Sequence, residues 1–177
     1  MNLLNTSIST NRLLLQATSM KYKEEIFKEF TEEITTYMYP RPPKELSETE
    51  TFINETIARI ENNQDLVVTI VKQESQEFLG CAGIHKIDKT NPELGIWLKR
   101  TAHGNKYGLE AISALKYWAD TNLDYEYCSY PVDRANIASR KIPEALGGKV
   151  YREFEKINMS GNILHMLEYR INKILNQ

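Results

Sequence analysis

The residues best spaced to do chemistry lie between positions 93 and 111. An apolar run, Leu94-Gly95-Ile96-Trp97-Leu98, follows Glu93 and leads into a turn carrying Gly104 and Gly108. Beyond the turn, Leu109, Ile112 and Leu115 fall on one face of an amphipathic helix. A strand, a glycine-bearing turn and a helix start make an anion cradle, because the first-turn N–H groups lack intrahelical acceptors and the helix dipole favours negative charge there. The turn does not end in the Lys-Ser/Thr of a P-loop, nor does it spell Gly-x-Gly-x-x-Gly. An ordinary strand–turn–helix unit without a ligand has the same outline.

The remaining chemistry-bearing residues are scattered. His85 stands just ahead of the central run, His103 inside the turn and His165 near the C-terminus, and imidazoles titrate near neutrality. Cys81 and Cys128 both sit in strand-like runs; two lone cysteines give no metal-ligand spacing and read as reduced core thiols. The 177 residues fit one domain, and a formal charge of −2 with 26% charged and 41% hydrophobic residues is a globular composition. No polybasic tract points to nucleic acid or an anionic membrane, and no apolar run is long enough to span one. The N-terminus has no basic region before its apolar residues and does not read as a signal peptide, so cytoplasmic residence is the expectation.

The elements that must position these residues follow from periodicity. Residues 1–9 read as a loose lead-in and 12–16 as a first strand. A helical stretch over 19–37 carries Tyr22, Ile26, Phe27 and Phe30 on one side and Glu24, Glu25, Glu29, Glu32 and Glu33 on the other. That acidic side is either a solvated face or a cation-binding rim. Tyr39-Pro40-Arg41-Pro42-Pro43 breaks the helix. A second helix starts at Ser47, with Ser47 and Glu50 spelling a capping box and Phe52, Ile53, Ile57 and Ile60 as its buried stripe. Strands at 65–71, 78–84 and 93–98 make a meander, and the helix from about Gly104 to Asp120 leads to a strand at 125–132. A strand–helix–strand unit of this length predicts a parallel pair, and Pro131 at the end of its second strand fits an unpaired edge. Asn136 is a helix N-cap and Gly147 a stop; Pro143 inside that helix predicts a bend; the last strands are 149–155 and 163–171.

Two stretches resemble the motifs of GNAT acyltransferases (Gcn5-related N-acetyltransferases), in particular the RimJ/RimL-like branch. The first is Glu93, Gly95, Trp97, Leu98, Gly104, Tyr107, Glu110 and Ala111, which match without gaps the pattern Glu-hydrophobic-Gly-Tyr-Trp-Leu followed by Gly-Lys-Gly-Tyr-Ala-x-Glu-Ala. The second, Asn136-Ile137-Ala138-Ser139 followed by Leu146-Gly147, is similar to the family's Asn-x-x-Ser and Leu-Gly-Phe. The opening Thr-x-Arg-Leu-x-Leu pattern at residues 10–15 also fits, and the resemblance spans about residues 10–171. Four positions depart from the pattern: Lys106 replaces a Gly or Ala, Thr101 a Gln or Arg, Gly148 the Phe, and Pro143 the Tyr that often serves as the acid.

The resemblance implies an α/β (α+β) fold: a central, mixed, strongly twisted sheet of about six to seven strands, flanked by about four helices, with a splayed central parallel pair, in one domain spanning 1–177. It implies an acyl-CoA-dependent N-acyltransferase, with acetyl-CoA as co-substrate, no metal, and a primary amine as acceptor, either a protein N-terminus or a small amine. The partners expected are those two substrates, without nucleic acid or membrane, in a monomer or homodimer. The alternative is a non-catalytic acyl-CoA-binding module of the same fold. The coenzyme would lie along Trp97 and Leu98, in the loop of His103, Gly104, Asn105, Lys106, Tyr107 and Gly108, and against Asn136, Ser139 and Arg140. Arg100 and Lys141 are further candidates for the phosphates. Ser139 is the expected partner of the coenzyme sulfur, Glu93 the expected base acting through water, and His85 the alternative base. Tyr127 and Tyr130 face either the splayed strands or the core.

Overall fold

The computed structural model describes residues 1–174. Eight strands form one sheet in the order β1-β2-β3-β4-β5-β6-β8-β7, rather than the six to seven expected. They are β1 (Ser7–Ser9), β2 (Leu13–Ala17), β3 (Asp65–Lys72), β4 (Phe78–His85), β5 (Glu93–Leu98), β6 (Tyr127–Asp133), β7 (Lys149–Ile157) and β8 (Ile163–Asn172). The extra strand comes from the N-terminus, which is not loose. Leu3 is buried beside the second long helix, and Ser7, Ile8 and Ser9 pair with Gln16, Leu15 and Leu14. Every neighbouring pair is antiparallel except β5–β6.

Five α-helices flank the sheet: α1 (Lys23–Glu29), α2 (Glu32–Thr35), α3 (Leu46–Glu61), α4 (Tyr107–Asn122) and α5 (Ile137–Ala145). The stretch expected as one helix over 19–37 is broken. Thr31 adopts extended backbone and its hydroxyl accepts the Ile34 N–H at 3.3 Å, so it caps α2 instead of continuing α1. The capping box is not formed either. Glu45 occupies the N-cap of α3, and Glu48 reaches back to the Lys44 N–H at 2.6 Å and pairs with Arg41 at 2.9 Å. α4 starts later than Gly104, after a 3-10 turn at Arg100–Ala102.

Alternation along the strands sorts the core onto two faces. Leu94, Ile96 and Leu98 pack with Ala111, Ile112 and Leu115 of α4. The opposite face packs Tyr22, Ile26, Ile53, Phe78 and Cys81, with Trp97 laid on Phe30 at a ring distance of 4.8 Å. α5 runs through Pro143 and ends two residues later, where the Leu146 N–H bonds the carbonyls of Ile142 and Pro143. Gly148 has a packing reason: an added Cβ would stand 2.8 Å from the Pro143 carbonyl oxygen and 3.0 Å from Ile171. The family's Phe therefore does not fit there. Among the described residues, no helix is long and apolar enough to cross a membrane.

Candidate active site

β5 and β6 meet at a single bridge, Glu93 to Ser129, and then part. The Ser129 N–H donates to the Pro92 carbonyl at 2.9 Å. Alternation then turns the N–H groups of Ile96 and Leu98 into the gap and that of Trp97 to β4. On the other bank, residue 131 points the same way as Ser129, and proline has no N–H to present. β6 is therefore not the unpaired edge that its proline suggests: it lies between β5 and β8, and only its β5-facing side beyond Ser129 is unpaired.

The loop leading into α4 borders the gap. Among the described residues, the amides of Gly104 through Leu109 find no acceptor within the chain. Gly104 has φ +82°, and a Cβ added there would meet no protein atom within 4 Å, so this side of the loop is open. Lys106 holds φ +60° without being a glycine, and its side chain is exposed. The family's glycine at this position would hold the same conformation without a Cβ penalty. Gly108 serves packing instead, since an added Cβ would come within 3.0 Å of Ile142.

Several side chains of the loop are committed to the protein. His103 donates from Nε2 to the Leu98 carbonyl at 2.9 Å, and the Asn105 amide donates to the carbonyls of Ala102 and His103. The Tyr107 ring lies under the Arg12 guanidinium at 4.5 Å. Trp97 turns its ring to the opposite face, and Arg100 pairs with Glu33 at 2.9 Å. Among the described residues, Asn105 and Tyr107 keep backbone N–H groups without a protein acceptor, whereas the expected contact at His103 is not supported, since its N–H donates to the Arg100 carbonyl at 3.2 Å.

α5 supplies the next group. Asn136 caps it, accepting the Ser139 N–H at 3.3 Å, and Arg140 donates to Tyr169 and to the Arg134 carbonyl. Ser139 Oγ lies 2.7 Å from the Tyr130 hydroxyl of β6. Burial pushes the Tyr130 phenol up to about 12, with the Ser139 hydrogen bond opposing, so the phenol keeps its proton at neutral pH.

On the opposite face the sheet is bare and open at Gly95. Gly83 and Gly95 pair across β4 and β5, and a Cβ on Gly95 would meet no atom within 4 Å. The His85 ring leans over Gly83: an added Cβ there would stand 2.9 Å from Nε2. His85 Nδ1 lies 3.1 Å from the carboxylate of Asp65, which is 3% exposed and also accepts from Arg59 and the Lys86 N–H. A carboxylate only accepts, so Nδ1 donates to Asp65 and the ring turns its Nε2 toward Gly83. Burial pushes the Asp65 carboxyl up, but hydrogen bonds from His85, Arg59 and Lys86 outweigh it and hold it well below the usual range. Glu93, across the ladder from His85, pairs with Lys86 at 3.2 Å. Asp65 went unread in the sequence, where it looks like the polar start of an apolar strand.

The family model described as "Acetyltransferase (GNAT) domain" matches residues 12–149. The chain belongs to the GNAT acetyltransferase family. No curated protein sequence matches it significantly. Among solved structures, RimL, a ribosomal L7/L12 alpha-N-protein acetyltransferase in complex with coenzyme A, aligns with TM-score 0.84 and 14% identity over 94% of this chain and 98% of that one. The microcin C7 self-immunity acetyltransferase MccE, in complex with acetyl-CoA and AMP, aligns with TM-score 0.81 and 16% identity over 92% and 93%. A ribosomal-protein-serine acetyltransferase homologue from Vibrio cholerae aligns with TM-score 0.79 and 17% identity over 96% and 98%. At these identities the likeness establishes the GNAT fold.

The GNAT residues present fit a diphosphate-bearing coenzyme. The amides at 104–109 lack protein acceptors, the loop is open at Gly104, and the strand gap beside it exposes donors. Loop and Ser139 lie on the α4–α5 face of the sheet, and His85 on the other.

Proposed function

We propose that this chain transfers an acetyl group from acetyl-CoA to a primary amine by direct attack in a ternary complex, with a protein N-terminus or a small amine as acceptor. The observation that supports it most is the parting of β5 and β6 beside a cradle of free amides, with open backbone at Gly95 on the other face. Acyl transfer needs a held donor, a hydrogen-bond donor for the carbonyl oxygen, a neutral amine and a proton for the departing thiolate.

Each need has a residue. The amides of Gly104 to Leu109 hold the diphosphate. The Ile96 N–H, turned into the gap, is placed for the carbonyl oxygen. The Ser139 hydroxyl, backed by the protonated Tyr130 phenol, serves the sulfur in place of the tyrosine that Pro143 displaces. For the amine proton we take His85 as the base, oriented by its hydrogen bond to Asp65, with Glu93 across the ladder as the alternative acting through water.

The test is purified protein with acetyl-CoA and a panel of amines, including peptides with free N-termini, followed by thiol release and mass gain on the acceptor. Coenzyme binding without thiol release on any amine would instead support a non-catalytic acyl-CoA-binding module, the reading that the loss of the usual tyrosine to Pro143 favours.

A further inference from the structure

Arg12 reaches the phosphate loop from the sheet side, and the function as proposed gives it no part. Its backbone N–H donates to Glu110 Oε1 at 2.8 Å and its Nε to Glu110 Oε2 at 2.7 Å, while the Thr10 hydroxyl donates to the same carboxylate at 2.7 Å. Glu110 lies in the first turn of α4, so this cluster docks the helix start on β2. The other arm of the guanidinium, Nη2, donates to the Asn105 carbonyl at 2.9 Å, and its face covers Tyr107. Gln73 steadies the platform: its N–H donates to the Arg12 carbonyl at 3.0 Å and its side chain to the Leu13 carbonyl at 3.0 Å.

The hydrogen bond to Asn105 has a geometric consequence. The peptide joining Asn105 and Lys106 is trans, so its carbonyl and its N–H point to opposite sides. With the carbonyl drawn to Arg12, the Lys106 N–H is turned away from Arg12, to the open side of the loop. Lys106 is also the non-glycine residue held at φ +60°, a backbone state that persists only where surrounding contacts fix it. Arg12 supplies such a contact.

We propose that Arg12 is a positioning residue for the coenzyme diphosphate: it sets the peptide between Asn105 and Lys106 with its N–H facing the anion, and does so through the loop rather than by contact with phosphate. This rests on reading the loop as the diphosphate site. Lysine at position 12 keeps the charge but cannot span Glu110 and Asn105 at once. Glutamine at 110 removes the carboxylate that anchors the guanidinium.

The experiment is calorimetric titration of coenzyme A into wild type, Arg12→Lys, Arg12→Ala and Glu110→Gln, with amide NMR spectra of each. Wild type binds, and its Lys106 amide resonance moves on addition of coenzyme A. Each folded variant binds about tenfold more weakly, as a loss of about 1.4 kcal/mol would give. In Arg12→Lys the Lys106 resonance no longer responds, although the spectrum stays dispersed. Wild-type affinity in Arg12→Lys would show that charge alone matters and overturn the positioning role, as would tighter binding by Glu110→Gln. Unchanged affinity in Arg12→Ala would remove Arg12 from the site and leave the function as proposed. Failure of wild type to bind would overturn both readings together.

Discussion

The hydroxyls of Tyr130 and Ser139 lie 2.7 Å apart where β6 and α5 face each other. One belongs to the strand that parts from β5 and the other to the first turn of the helix that follows it.

That pairing makes the two separable in kinetics. Ser139→Ala lowers kcat by about a hundredfold, the range of a lost proton donor, and leaves coenzyme affinity within about threefold. Tyr130→Phe lowers kcat less, because the serine hydroxyl stays in place without its buried partner. Steady-state rates with coenzyme titrations on both variants decide. Full turnover in Ser139→Ala would pass the donor role to Tyr130.

The loop backbone sets a second contrast. Gly104→Val puts a branched Cβ at φ +82° and destabilises by about 1–2 kcal/mol, with weaker coenzyme binding. Lys106→Gly relieves a left-handed residue, so its stability stays within about 1 kcal/mol of wild type and binding falls less. Thermal unfolding and calorimetry on both test this. A larger binding loss at Lys106 would make its side chain the main contact.

Asp65 gives a pH dependence with a defined sign. Its carboxyl titrates lower in the folded chain than the ordinary 3.8, so its stabilising contribution is complete above that value and is lost as pH falls through the folded one. Urea midpoints measured from about pH 6 down to about pH 2 should fall for wild type and fall less steeply for Asp65→Asn. Separately, His85→Gln lowers kcat by about a hundredfold, more than Glu93→Gln does. Equal losses would share the base role between them.

Gly148→Ala tests the α5–β7 joint. A Cβ 2.8 Å from the Pro143 carbonyl forces a shift, and the variant loses about 1–3 kcal/mol in chemical denaturation. An unchanged midpoint would mean the joint yields freely.

What the sequence disclosed was what local spacing encodes: the strand, loop and helix of 93–111 and the cap at Asn136. What it hid depends on partners far along the chain. Arg12 and Glu110 are 98 positions apart, and Asp65 becomes a buried acceptor only when α3 brings Arg59 and β4 brings His85. The break at Thr31 was hidden for a different reason: its hydroxyl offers the backbone a competing bond within an otherwise helical pattern. Lys106 carries no local mark of its left-handed backbone, which the fold imposes.

Pro131 has a consequence for the energetics of binding. A parallel pair with donors on both banks could zip shut once empty, and an arriving coenzyme would then have to break a ladder before it could lie down. Proline removes one tooth of that zipper on the bank facing Ile96 and Leu98. A gap that forms fewer strand–strand hydrogen bonds when empty loses less of the free energy of association to opening.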